Sequence, residues 1–105
     1  MITDKMVEDA LSTIENPENA AAARANRLKL EHMLKHTKAM IMMGYKNIPV
    51  SAQERNAYND KRYVQAIEDL CKAVDEDEIQ KGYREAATTT IDAWRTQQAS
   101  LRVTI

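Results

Sequence analysis

The chain has 105 residues, of which 44% are hydrophobic, 30% are charged and 5% are aromatic, and its formal net charge is -1. It holds only two glycines and two prolines, too few turn residues for a barrel, a sandwich or a parallel sheet with many loops. Because helices need fewer turns, we expect an all-α fold. A chain of this length supports one small hydrophobic core, so we expect a single helical domain over residues 1–105.

The sequence carries no sign of secretion or of membrane insertion. Its one cysteine, Cys71, cannot form an internal disulfide. The first residues lack a basic region followed by an apolar segment, and no apolar run approaches the roughly 18 residues of a membrane span. These features predict a cytoplasmic protein without membrane contact.

The first predicted helix covers residues 4–15. Thr3 or Asp4 can cap it, because either side chain can accept from the free N–H groups of the first turn. A helix this short is marginal in water without tertiary contacts, so we expect it to pack on the rest of the fold. Its apolar stripe has helical spacing and consists of Met6, Val7, Ala10, Leu11 and Ile14.

A long second helix is predicted over residues 17–43. Asn16 can cap it and Pro17 suits its first position, while Gly44 is expected to end it with a positive φ. At about 1.5 Å per residue it would reach nearly 40 Å, which is more than one small core requires. This excess length favours an oligomer.

Two further helices are predicted over residues 52–74 and 76–101, with the remaining residues as a loose tail. Ser51 and Glu54 have the spacing of a capping box at the start of the third helix. The acids at 75–78 would oppose a helix dipole at its end but favour it at its beginning, so the fourth helix is expected to start there. The whole predicts a long helical hairpin or bundle of about four helices.

Charge is distributed in blocks along the chain. The net charge is -4 over residues 1–19, +5 over 20–50, +1 over 51–67, -5 over 68–79 and +2 over 80–105. One interpretation is that basic and acidic segments lie against each other, within the fold or between subunits. The other is that the basic residues form an exposed strip that contacts nucleic-acid phosphates.

The second interpretation defines a set of candidate nucleic-acid-binding residues. Those near the predicted third helix lie beside tyrosines, which could meet bases while the cations meet phosphates. The alternative there is a helix end that simply meets solvent. The set consists of Arg24, Arg27, Lys29, Lys35, Lys38, Lys46, Arg55, Lys61 and Arg62.

A methionine-rich segment ends the second helix. Met40, Ile41, Met42 and Met43 are consecutive, so they cover most of the helix circumference and cannot all face one narrow core. Either the following loop covers part of this surface or another chain does. We expect a partner or subunit contact here, and a homodimer is the favoured assembly.

Residues suited to metal binding or catalysis are few. His32 and His36 are four apart and share a helix face, but a metal would need further ligands such as Glu31 or Cys71. Cys71 lies on a patterned helix, where a cysteine is usually a small buried hydrophobe. The acids at 75–78 splay around a helix start instead of converging. We therefore expect no catalytic residue, metal or cofactor.

Several segments of the C-terminal half resemble a pattern in small phage-encoded proteins found near recombination and replication genes. They are residues 53–58, 63–67, 86–87 and 91–100, and the most distinctive part is Ala93-Trp94-Arg95-Thr96-Gln97. The resemblance implies a phage or prophage origin and a place in the host cytoplasm. It carries over no catalytic residue, and the first half of the chain has no such match.

These observations predict a non-enzymatic phage or prophage accessory protein that acts by binding, in nucleic-acid recombination or replication. One alternative is a protein-binding inhibitor of a host defence or nuclease complex, which would use the methionine-rich segment and the acids at 75–78. Another is a structural assembly module. The expected partners are thus a second copy of the chain together with nucleic acid or a host or phage protein.

Overall fold

The computed structural model describes residues 1–104, with side chains as far as Val103. This part of the chain contains four helices and no strand, which confirms the all-α prediction. None of these helices is long and apolar enough to cross a membrane. The helices are α1 (Asp4–Glu15), α2 (Glu18–Met43), α3 (Val50–Asn59) and α4 (Lys61–Thr104).

The helices form two compact units. Unit 1 contains Met1–Ala21 and the part of α4 from Glu78 onward, and unit 2 contains Ala22–Asp77. Helices α2 and α4 contribute residues to both units, whereas α1 belongs to unit 1 and α3 to unit 2. The expectation of a single domain stays a prediction.

Helix α1 has the predicted bounds and is tied to α4 within unit 1. Thr3 is its N-cap, and the Thr3 hydroxyl accepts from the Met6 N–H at 3.2 Å. The Ile2 N–H donates to Oε1 of Gln97 at 3.2 Å, and Nε2 of Gln97 donates back to the Ile2 carbonyl at 3.3 Å. This pair of bonds holds the segment before α1 against the C-terminal part of α4.

Helix α2 begins at Glu18, one residue after the predicted start, and ends at Met43 as predicted. The expectation of a positive φ at Gly44 is wrong, since no glycine has one. The space around Gly44 is tight instead: a Cβ there would lie 3.2 Å from the Ile41 carbonyl oxygen. Glycine therefore permits a close turn out of the helix without a left-handed residue.

Helix α3 begins at Val50, and the predicted capping box is wrong. Because the helix starts earlier than residue 52, Ser51 lies inside its first turn and the N-cap is Pro49, which makes no side-chain capping bond. The Pro49 carbonyl accepts from the Ala52 and Gln53 N–H groups, each at 3.0 Å. Backbone bonds thus start the helix.

The Gln53 side chain holds the loop between α2 and α3. Its Nε2 donates to the carbonyl of Tyr45 at 2.8 Å and to the carbonyl of Ile48 at 3.0 Å. These carbonyls lie outside any helix, so they need partners from elsewhere. One amide group therefore supports most of the turn that follows α2.

The predicted third helix over 52–74 is interrupted at Asp60. This residue is extended, with φ -73° and ψ 137°, and it separates α3 from α4. Its Oδ1 accepts from the Arg62 N–H at 2.8 Å, the bond of an N-cap. A short carboxylate that bonds to nearby backbone N–H groups competes with helix continuation, and the apolar spacing gives no sign of this.

The predicted boundary at 75–78 is also wrong, because α4 runs without a break from Lys61 to Thr104. No Gly or Pro interrupts the segment at 75–78, and its acids include two that form ion pairs, Glu78 with Lys81 on the same helix and Asp77 with Arg27. Asp77 is only 4% exposed, and its Oδ2 lies 3.1 Å from Nη1 of Arg27 on α2. The helix extends past the predicted end at 101, while Ile105 lies outside the described residues.

Small side chains fill most of the buried positions. Within unit 2 the buried apolar residues are Ala23, Ile41, Ala57 and Ala73, and Ile41 is the largest side chain of the described residues that is fully buried. Alanine at a helix contact lets two backbones approach closely. Unit 2 therefore depends on close helix contact around a single larger anchor.

Replacing this anchor tests that arrangement. Ile41→Ala removes a side chain that is 2% exposed, and we expect the free energy of unfolding to fall by about 2–5 kcal/mol. Val50→Ala is the control, because Val50 is 63% exposed and should change stability by no more than about 0.5 kcal/mol. Urea denaturation followed by far-ultraviolet circular dichroism measures both. Equal losses of stability in the two variants would contradict the role of Ile41 as the anchor.

Candidate binding surface

Arg27 belongs to an ion-pair network inside unit 2. Its Nε lies 3.2 Å from Oε1 of Glu31 on the same helix, and its Nη1 bonds to the buried carboxylate of Asp77. The hydrogen bonds that Arg27 donates to Glu31 and Asp77 raise the pKa of its guanidinium. At this point a basic and an acidic block lie against each other within the fold, and a phosphate contact of Arg27 stays a prediction.

A groove between α2 and the first turns of α4 forms a concave surface of unit 2. Its volume is about 720 Å³, within the usual range of roughly 300–1,000 Å³ for ligand pockets. Three of the candidate cations line it, from two helices that are distant in sequence. We call it the cationic groove; its lining consists of Lys29, Leu30, Met33, Thr37, Lys61, Arg62, Gln65, Ala66 and Asp69.

The three cations of the cationic groove differ in their surroundings. Lys29 and Lys61 are exposed, and within the described residues neither forms an ion pair. Arg62 is held by Asp60 through two bonds of 3.0 Å, from Nε to Oδ1 and from Nη2 to Oδ2. These bonds raise the pKa of Arg62. The Arg62 side chain is still 68% exposed, so its guanidinium can meet a further anion.

One carboxylate interrupts the cationic lining. Asp69 lies on the α4 wall, and its Oδ1 accepts from Nε2 of Gln65 at 2.9 Å. Since Lys61 and Arg62 lie two turns earlier on the same helix, the positive potential of the α4 wall is concentrated at its N-terminal end. An anionic ligand is therefore favoured at that end.

A tyrosine cluster, defined as Tyr58, Tyr63 and Lys38, adjoins the groove. The two rings meet edge to face, with centroids 5.3 Å apart and an interplanar angle of 71°. Nζ of Lys38 donates to the Tyr58 hydroxyl at 2.8 Å and lies 4.6 Å from the ring centroid, and the hydrogen bond raises the pKa of Lys38. Thr37 and Arg62, which line the groove, precede Lys38 and Tyr63 in the chain.

The remaining candidate cations lie elsewhere. All four are exposed and none lines the groove, so the nine candidates do not all meet in one concave site. Two are on α2 (Arg24 and Lys35), one is in the loop after α2 (Lys46) and one is on α3 (Arg55).

The methionine-rich segment is divided between interior and surface. Ile41 is buried in unit 2 and is not available to a partner. Met42 is half-buried, whereas Met40 and Met43 are 53% and 62% exposed. The candidate contact surface is therefore narrower than predicted and consists mainly of these two side chains.

The residues considered for metal binding or nucleophilic chemistry lie on the surface. His32 and His36 are exposed on α2, and Cys71 is exposed on α4, so the expectation of a buried cysteine is wrong. Among the described residues no group of three or more His, Cys, Asp or Glu side chains could hold a metal ion.

The sequence predicts the cations of the groove but not the apolar part of its lining, which we call its floor. The floor consists of Leu30, Met33 and Ala66. A usable signal was present, since Met33 follows Lys29 by four residues and Leu30 by three, and residues with either spacing are neighbours on a helix surface. The face of α4 that lines the groove was not predicted, because the break at Asp60 was not predicted.

Comparison with protein-family models, with curated proteins and with solved structures finds no match. No activity or ligand is therefore inferred from a relative. The resemblance of the C-terminal half to small phage proteins stays a prediction.

The pairing of Asp60 with Arg62 predicts a pH dependence of stability. The side-chain and backbone hydrogen bonds from Arg62 lower the pKa of Asp60. The Asp60 carboxylate therefore stabilises the fold above its ordinary pKa of about 4, and this contribution is lost as the pH falls through the lowered value. Asp60→Asn keeps a capping side chain without the charge, so we expect a lower melting temperature than wild type at neutral pH and no difference in strong acid.

Thermal unfolding followed by circular dichroism at both pH values measures this effect. Asp75→Asn is the control, because Asp75 is exposed on α4 and forms no ion pair in the described part of the chain. A deficit of Asp60→Asn that persists unchanged in acid would show that the charge of Asp60 is not its cause.

Proposed function

We propose that this chain is a non-enzymatic nucleic-acid-binding protein whose binding surface is the cationic groove. The observation that supports this most strongly is the placement of Lys29 and Lys61. They come from two helices, face the same groove and have no carboxylate partner within the described residues. Ammonium groups free of internal partners are available to neutralise phosphates.

The distribution of charge supports a polyanionic ligand. Residues 22–67 contain nine Lys or Arg and three Asp or Glu, a net charge of +6, although the whole chain has -1. A local excess of one sign on a concave surface raises the concentration of oppositely charged ligands there. The small total charge of the protein therefore does not argue against contact with phosphates.

The biological setting that we propose follows the resemblance to small phage proteins. Phosphate contacts position a protein on nucleic acid without reading its sequence. Such binding suits an accessory factor in phage recombination or replication that works in the host cytoplasm. No group on this surface needs to perform a covalent step.

Removing the two lysines tests the proposal. We expect wild-type protein to bind labelled DNA with an affinity that falls as salt rises. In the double variant Lys29→Gln/Lys61→Gln the slope of log K against log salt should decrease in magnitude by about one for each lysine that is replaced. Fluorescence anisotropy across a salt series measures both quantities. No salt-sensitive binding at about 10 μM protein and low salt would rule the proposal out.

Lys72→Gln is the matched control for this experiment. Lys72 is also an exposed lysine on α4 within unit 2, but it does not line the groove. Lys72→Gln changes the net charge by the same amount as each of the single variants Lys29→Gln and Lys61→Gln. An equal effect of Lys72→Gln and Lys61→Gln would show that total charge, and not the groove, determines binding.

A second candidate function is protein binding at the end of α2. Met40 and Met43 are more than half exposed, and methionine suits adaptable contact surfaces. The partner would be a second copy of this chain, giving a homodimer, or a host or phage protein. Inhibition of a defence or nuclease complex and structural assembly are both compatible with such a contact.

Light scattering over a range of concentrations tests the homodimer. We expect the wild type to approach the mass of a dimer with rising concentration. The variant Met40→Glu/Met43→Glu should remain a monomer, because two carboxylates would be desolvated at the contact. A wild type that is monomeric throughout would contradict dimerisation through this surface.

A further inference from the structure

We infer that the cationic groove takes a single strand of nucleic acid, with bases against its apolar floor and against Tyr58, and with phosphates on its three cations. This inference rests on the proposed function and narrows it to one class of ligand. A duplex and an acidic protein are the competing occupants. The groove floor, the tyrosine cluster and the arrangement of charge each favour the single strand.

The lining of the groove is apolar in one part, its floor, and cationic in another. Leu30, Met33 and Ala66 supply the floor, and Met33 is 44% exposed. A duplex keeps its bases stacked inside and presents mainly phosphates and sugars at its surface. Such a ligand would leave the apolar floor against polar groups. Unpaired bases have apolar faces that can cover it.

The tyrosine cluster provides an aromatic surface next to the groove. Tyr58 is 47% exposed. Its ring meets the Tyr63 ring in an edge-to-face contact, and Nζ of Lys38 lies over it and donates to its hydroxyl, so a base would stack on the part of the ring that these contacts leave exposed. Single-strand-binding proteins combine a basic groove with aromatic rings on which bases stack. A half-exposed ring that is held in place loses little conformational freedom when a base stacks on it.

The arrangement of charge limits the contribution of the phosphates. The groove offers three cations, and the carboxylate of Asp69 lies on the same wall. Three cations give weak binding if phosphates alone are recognised, so stacked bases would raise the affinity for a single strand above that for phosphates alone. Because Asp69 repels phosphates, the phosphates on the α4 wall are expected to be held at Lys61 and Arg62. Arg62 precedes Tyr63, whose ring contacts the ring of Tyr58.

Three labelled ligands of equal length separate the possibilities. They are an oligothymidylate of about 20 nucleotides, which exceeds typical single-strand sites of roughly 4–16 nucleotides, an abasic strand and a duplex. We expect the oligothymidylate to bind best in anisotropy titrations at low salt. The abasic strand should bind at least about tenfold more weakly, since the absence of one stacked base costs about that much.

Variants of Tyr58 test the base contact. Tyr58→Leu keeps an apolar side chain but removes the ring, and it should weaken binding of the oligothymidylate while leaving binding of the abasic strand unchanged. Tyr58→Phe keeps the ring and loses only the hydroxyl that accepts from Lys38, so it should retain the preference. Circular dichroism confirms that both variants are folded.

A charge on the floor tests whether that surface is used. Met33→Glu places a carboxylate at a partly exposed position and should weaken binding of the oligothymidylate. Light scattering of this variant and of the wild type shows whether a second copy covers the floor. A wild-type dimer that becomes a monomer in Met33→Glu would overturn the inference, because the floor would then be a subunit contact.

The ligand comparison separates failure of the inference from failure of the proposed function. Equal affinities for the oligothymidylate and the abasic strand would show that only phosphates are bound; the proposed function would stand and the single-strand inference would fall. Tighter binding of the duplex would also overturn the inference. No salt-sensitive binding of any of the three ligands would remove the proposed function and, with it, the inference.

Discussion

The ion pair between Arg27 and Asp77 is the constraint on which the rest of unit 2 depends. A carboxylate that is 4% exposed must have a partner, because burial of an isolated charge is costly. Its partner lies on α2, 50 residues away in the chain. The bond therefore fixes α2 against α4 at one level, and Glu31 holds the other side of the guanidinium. The cationic groove lies further along the same two helices.

The turns of unit 2 make the groove possible. Asp60 ends α3 and caps α4 through the Arg62 N–H, so the first turn of α4 starts where Lys61 and Arg62 face α2. The same residue holds the Arg62 guanidinium. Gln53 meanwhile secures the loop that returns the chain from α2 to α3. Two side chains with several bonds each thus position the cations of the site.

The all-α class and α1 could be predicted from composition, apolar spacing and the cap at Thr3, and α2 to within one residue. The break at Asp60, which was not predicted, and the break at 75–78, which was predicted but does not occur, share a physical cause. Each depends on an acid whose role is set by its partner. Asp60 interrupts a helix because it bonds to a backbone N–H, whereas Asp77 continues one because a distant arginine neutralises it. Local sequence does not distinguish these cases. The groove could be predicted only in part for the same reason. Its cations were predicted from the distribution of charge, but the face of α4 that completes the groove depends on the break at Asp60.

The alanine-rich interior has a consequence for how this protein tolerates sequence change. At Ala57, which has no exposed surface, and at Ala73, which is 4% exposed, a larger side chain would overpack the interior, and overpacking of this kind costs about 1–3 kcal/mol. Side chains larger than alanine are therefore expected to be poorly tolerated at these sites. Alanine scanning cannot detect such positions because they are already alanine, whereas substitution by valine would detect them as a loss of stability.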